Sequence, residues 1–348
     1  MKKRIKLTSS AVLFTVVAFI TSCKKDKVDD GTGSNDITYN AAYVVNGGSN
    51  SISVIDLLTN EVKRTIAFSG VMWPHHISIN SAKTKIAIGV PGMDLSGGHD
   101  SINNTGMTGM IGVYDAVTGT ELKMINLSMM NHNSVFSPNG TEIWTALMDS
   151  MGTVAVYDAA NYTLKNTINV GMMPAEVTFS SDGLMAFVAN GMSDDVTAIN
   201  VINKNIMATI PVGMGPVGAW VGSNNKMYVD NEAGQTISVI DVATIMVEET
   251  VTLGFMPGMA AYNSTMNELW VTDPDNSKVH YWTRNGSTWM HGGEIITGAG
   301  AHAIAFSGMV AYITNQMAGT VSVIDVMAHS KSKDITVGTK PNGIAIKQ

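Results

Sequence analysis

The sequence predicts an all-β protein: a seven-bladed β-propeller of four-stranded antiparallel blades, closed by the C-terminal strand. Three observations carry that prediction. A strand–turn–strand unit recurs along the chain. A further strand ends each unit, and it occurs seven times. The two ends of the chain are complementary pieces of a single unit.

The N-terminus comes first and stands apart. Lys2, Lys3, Arg4 and Lys6 precede the apolar run Ala11 to Ile20, which is followed by Thr21, Ser22 and Cys23. A charged start, a short apolar stretch and small residues describe a signal peptide over 1–22; the run is too short to span a bilayer. Ile20-Thr21-Ser22-Cys23 resembles the lipobox of bacterial lipoproteins. That resemblance implies cleavage before Cys23, acylation of that residue and anchoring of an extracytoplasmic protein at the outer membrane, on its periplasmic or surface side. The alternative is an ordinary secreted protein. Residues 23–36 then read as the acylated cysteine and a flexible polar tether, and 37–348 as the propeller. Cys23 is the only cysteine, so no internal disulfide can form and the core alone must hold the fold. A formal charge of −7 with no basic stripe argues against nucleic acid. The chain is expected to be a monomer.

The repeat is plain in AYVVNGGSNSISVID (42–56), AFVANGMSDDVTAIN (186–200), MYVDNEAGQTISVID (227–241) and AYITNQMAGTVSVID (311–325). Each is an alternating strand, a polar turn and a second alternating strand. Segments such as TIAFSG (65–70), TIPVGM (209–214) and ITVGT (335–339) supply the strand that ends each unit. Lead-in segments, often carrying proline, open the next unit: WPHHISI (73–79), MPAEVTF (173–179), KPNGIAI (340–346). Their register residues are 74, 131, 174, 216, 257, 301 and 341. These are spaced by 40 to 44 residues except for one gap of 57, which the insertion from Pro91 to Met110 explains. The first unit lacks a lead-in strand and the last segment consists of nothing else, so the C-terminus completes blade 1.

These residues resemble the YVTN family of propeller repeats, which includes lactonase-like proteins. Tyr43-Val-Val-Asn46 and Tyr312-Ile-Thr-Asn315 match its first strand. Val54-Ile-Asp56, Val239-Ile-Asp241 and Val323-Ile-Asp325 match its second. Val170-Gly-Met-Met-Pro174, Val212-Gly-Met-Gly-Pro216 and Val337-Gly-Thr-Lys-Pro341 match its lead-in. Blade 6 departs, with Val279-His-Tyr-Trp282 in place of the Ile-Asp ending. The resemblance implies the fold; the family's functions are diverse, so function must be argued from a site.

Methionine is abundant, 25 of 348 residues, and its placement is one-sided. Met72, Met129, Met172 and others fall in lead-in segments, while Met148, Met192, Met317 and others fall in or beside the middle loops. Fifteen of the 25 map in this way to the face around the channel mouth, where polar turn formers are the usual choice. His75, His132 and His302 share the position after the register residue in blades 2, 3 and 7. His76 adjoins them, and His99 lies in the insertion, which could fold over the mouth as a lid. Imidazole with thioether suits copper. The expected function is therefore a membrane-anchored binding protein whose Met/His-rich face takes a protein partner or a soft metal such as copper. The metal candidates are His75, His76, His99, His132, His302, Met72, Met129 and Met172. Methionines that merely plug the mouth are the plain structural reading. With no Ser-His-Asp or paired-carboxylate motif in sight, a small-molecule enzyme of lactonase or lyase type is the alternative.

Overall fold

A computed structural model describes residues 35–98 and 106–348. The signal segment, Cys23, nearly all of the tether and His99 lie outside the described residues. The described chain forms 28 strands, arranged as seven four-stranded antiparallel sheets. Among the described residues no helix is long and apolar enough to cross a membrane.

Blade 1 confirms the closure. Its innermost strand is the C-terminal Pro341–Lys347, followed outwards by Ala41–Asn46, Ser51–Asp56 and Glu61–Ala67. Val44 pairs with Ile344 and Ala42 with Ile346 across the junction. The contact between blades 7 and 1, built on Ala42, Val44, Tyr312 and Val321, is as apolar as the others, for example Tyr43, Ile52, Ile86 and Ile88 between blades 1 and 2. Middle strands are covered on both faces by neighbouring blades and so read as unbroken apolar runs. Outer strands are half solvated and alternate, as Glu61–Ala67 does.

The repeated polar residues are hydrogen-bonding devices. Asp241, which ends a Val-Ile-Asp strand, accepts bonds from the backbone N–H groups of Ala243 (2.8 Å) and Thr244 (2.9 Å), shaping the turn in which Ile245 takes a left-handed conformation. Asp115 and Asp158 do the same in their blades. Asn315 donates to Thr320 and Ser322 (both 2.9 Å) and accepts from Gly298 N–H (3.1 Å); Asn46 takes the same role towards Ser51, Ser53 and Gly338. A Cβ at Gly338 would lie 2.6 Å from Asn46 Cγ, so the glycine before the lead-in is demanded by close approach.

The insertion leaves blade 2 after Val90 and rejoins it at Met110, as the spacing predicts. Its described part reaches across the channel mouth. Leu95 packs on Met130, Met148, Ala175 and Val217, and Lys340 of blade 1 bonds Ser96 (2.7 Å) and pairs with Asp94 (3.5 Å).

Candidate active site in the channel

The lead-in segments enter the channel through a strained turn. Trp73, Met173 and Lys340 are left-handed (φ +55°, +51° and +52°), and each precedes a proline, which disfavours ordinary helical geometry there. Directly afterwards the ladder slips, between Pro174 and Val177, Pro216 and Gly218, and Ala301 and Ile304. Such bulges re-aim side chains. In blade 4 the slip spans Glu176 and in blade 7 it spans His302, whereas in blade 2 pairing begins only at Ile77, so His75 and His76 precede the ladder.

Four imidazoles meet there. His75 lies 4.3 Å from His132, 4.6 Å from His76 and 5.4 Å from His302, ring centre to ring centre, and His76 lies 4.8 Å from His132. His75 and His132 are each 1% exposed. Their backbone is held from four blades. His75 N–H donates to Gly89 O (2.9 Å), Gly343 N–H donates to His75 O (3.0 Å), and Asn342 bonds Pro74 O. A Cβ at Gly89 would stand 2.4 Å from His132 O, and one at Gly343 2.8 Å from His76 Cα. The two glycines are what let neighbouring blades come this close. Asn131, Asn133 and Thr145 hold the His132 segment: Asn131 donates to Thr145 Oγ1 (3.1 Å), Thr145 to Asn133 O (2.6 Å) and Asn133 to Val177 O (2.9 Å).

The acids were not singled out in the sequence. Glu176 is fully buried, with Oε1 2.7 Å from His132 Nδ1 and 3.0 Å from His76 Nε2; its Oε2 has no hydrogen-bond partner among the described residues. Burial, then the charges of Asp230 and Glu232, push its carboxyl well above the usual range. Asp230 accepts a 2.5 Å bond from Trp220 Nε1, and burial followed by the charge of Glu232 pushes it up as well. Two small cavities flank the histidines. One, about 110 Å³, is lined by His76, Asn133, Ser134, Glu176, Thr178 and Trp220 among others. The other, about 120 Å³ and at the mouth, includes Ser96, Glu232, Asp275, His302 and Gln316. Each has room for a few waters or part of a small polar molecule.

A signal for Glu176 did exist. It is an acid inside the apolar strand PAEVTF, two places after its register residue, the same place as His76. Asp230 stands where blades 6 and 7 have Thr272 and Thr314, whose hydroxyls bond the next blade's lead-in backbone.

The structure brings His75, His76, His132 and His302 together and leaves the methionines out. Met72 and Met172 are 62% and 44% exposed on the rim. Each lies before the left-handed residue that turns the chain inwards. Met129 packs between blades 2 and 3, against their aliphatic core. Met130 and Met148 are buried beneath Leu95 of the insertion. The one-sided methionines therefore divide into covered core and outward rim.

No family model matches the chain, and no curated protein does. Solved structures do. The periplasmic gluconolactonase of Pseudomonas aeruginosa is 16% identical with a TM-score of 0.68, covering 89% of this chain and 99% of that one. A provisionally assigned 6-phosphogluconolactonase of Bacteroides fragilis is 17% identical with a TM-score of 0.70, covering 92% and 100%. A second provisionally assigned 6-phosphogluconolactonase, from Bacteroides uniformis, is 13% identical with a TM-score of 0.70, covering 88% and 99%. The chain is thus a seven-bladed propeller like these proteins; at such identities the likeness establishes the fold. All three carry lactonase names. These names contradict the expectation of a scaffold whose task is to bind a partner or copper and match its alternative, a small-molecule enzyme, while the chain's own activity rests on its site.

Proposed function

We propose that the chain is a lactone-opening hydrolase whose chemistry sits in the channel. One observation carries the reading: Glu176 is a buried carboxylate with one oxygen oriented by two imidazoles and the other without a hydrogen-bond partner among the described residues, beside a cavity. Such a group can take the proton of a water that attacks the lactone carbonyl. The water oxygen bonds to the carbonyl carbon, the ring C–O bond breaks, the water's proton passes to Glu176, and the released alkoxide is protonated, giving a hydroxy acid. Asp230, held by Trp220 near Glu232, is suited to supply that last proton.

The charges favour a neutral lactone. No lysine or arginine lines either cavity among the described residues, and Lys340 at the mouth is engaged by Asp94 and Ser96. A phosphorylated lactone would meet buried carboxylates with no lysine or arginine in either cavity to bind its phosphate. The signal segment, Cys23 and the tether, together with the likeness to a periplasmic enzyme, support an extracytoplasmic, lipid-anchored protein of the YVTN/lactonase-like kind.

The test is ring opening of unphosphorylated and 6-phosphorylated gluconolactone by wild type and Glu176→Gln. Wild type should prefer the unphosphorylated substrate, and kcat should fall by about 10²- to 10⁴-fold in the variant, with melting temperature unchanged or raised. Equal rates in both proteins, or no opening of either lactone, would sink the reading.

A further inference from the structure

We propose that His75, His76 and His132 hold one divalent metal ion of the zinc class, with Glu176 as the carboxylate that orients two of the imidazoles. Each histidine offers a nitrogen, and these three atoms all lie within 4.8 Å of one another, a grouping of buried ligand residues found nowhere else among the described residues. Three neutral imidazoles with an open fourth position are a common catalytic zinc set. Imidazole with oxygen also suits nickel, cobalt and iron, so the class is named rather than the element.

Three further observations fit a cation here. Metal-bound imidazoles usually turn their other nitrogen towards a carboxylate, and Glu176 stands 2.7 Å from His132 and 3.0 Å from His76. The buried carboxylates Glu176, Asp230 and Glu232 share the channel with no lysine or arginine in either flanking cavity, and a dication offsets them. The backbone carrying the ligands is fixed from several blades by Gly89, Gly343, Asn131 and Asn133, so the imidazoles are preorganised. None of the three expected methionines belongs to the set, because Met72 and Met172 face solvent and Met129 packs in the core between blades 2 and 3.

The proposal concerns the channel of the proposed hydrolase but not its reaction, and binding is read without substrate. Full-length protein, dialysed against a chelator, is titrated calorimetrically with zinc alone. One equivalent should bind. His132→Ala should abolish it, Glu176→Gln should weaken it by about 10- to 100-fold, and His291→Ala, at the surface pair His280–His291, should leave it unchanged. Crystals of the wild type soaked in zinc guard against a misfolded variant, since anomalous scattering at the zinc edge should place the ion among the three imidazoles. Binding that survives His132→Ala, an ion found only at His280–His291, or no ion at all overturns the proposal. Zinc bound with no lactone opened sinks the hydrolase alone; lactone opened with no zinc bound sinks this proposal alone.

Discussion

Blades 1, 4, 5 and 7 keep the repeat, and blades 2 and 3 break it. In the first group the second strand ends in Asn46, Asn190, Asn231 or Asn315, and the innermost strand runs for six or seven residues. In blades 2 and 3 the same strand ends in Val90 and Leu147, and the innermost strands shrink to Ile77–Ile79 and Val135–Phe136. The regular blades spend their polar side chains on their own turns. The irregular blades leave the lead-in backbone outside the ladder, where side chains and the glycines of adjacent blades hold it. Three of the four channel histidines lie there. Regularity makes the ring; the lapses place three of the histidines, and the regular blades 4 and 5 contribute the acids Glu176 and Asp230.

The comparison breaks most visibly if the ring is opened. Deleting 341–348 removes blade 1's innermost strand and, with Asn342 and Gly343, two supports of the His75 segment. Ile344 and Ile346 are only half buried, so lost ladder bonds count for as much as lost apolar area. A loss of about 5 kcal/mol is expected, read as a lower urea midpoint. A truncated protein with an unchanged midpoint would refute the closure as the keystone of both fold and site.

A finer contrast pairs Gly89→Ala with Asn315→Ala. The first forces a methyl against His132 O and should cost about 2 kcal/mol or more, with faster hydrogen exchange at 131–135. The second leaves buried groups unsatisfied and should cost about 1 to 3 kcal/mol, with faster exchange around 298–300 and 320–322 and none at 131–135. Exchange that spreads alike in both variants would erase the distinction between the two kinds of blade.

The smallest effect belongs to Glu142, in the irregular blade 3 but far from the chemistry. Burial would raise its carboxyl, but bonds from Lys204 (2.6 Å), Trp144 (3.0 Å) and Lys165 (3.0 Å) outweigh that and hold it below the usual range. A lowered folded-state pKa gives stability that is present above the unfolded value of about 4.3 and is lost as pH falls. Glu142→Gln should flatten the fall in stability below pH 5 by about 1 kcal/mol or less. An unchanged slope would show that the network contributes nothing.

Much of this was legible beforehand. The seven registers, the limits of the insertion and the shared position of His75, His132 and His302 follow from a period that physics imposes on any four-stranded blade. Glu176 was less legible because alternation along a strand assigns one face to each residue, and the register slip between Pro174 and Val177 departs from that alternation. The methionines misled for a related reason. Sequence position assigned Met72, Met130, Met148 and Met172 to one face, but the left-handed residue before each proline and the path of the insertion decided which were covered.

The sequence by itself determined the number of blades, the closure at the C-terminus and the turn chemistry, since all of these depend on contacts that recur at fixed short spacing. The tertiary structure alone decided that Glu176 meets His132 and His76, and that Asp230 and Glu232 share their channel. Those groups come from different blades, and only the closed ring sets their distances.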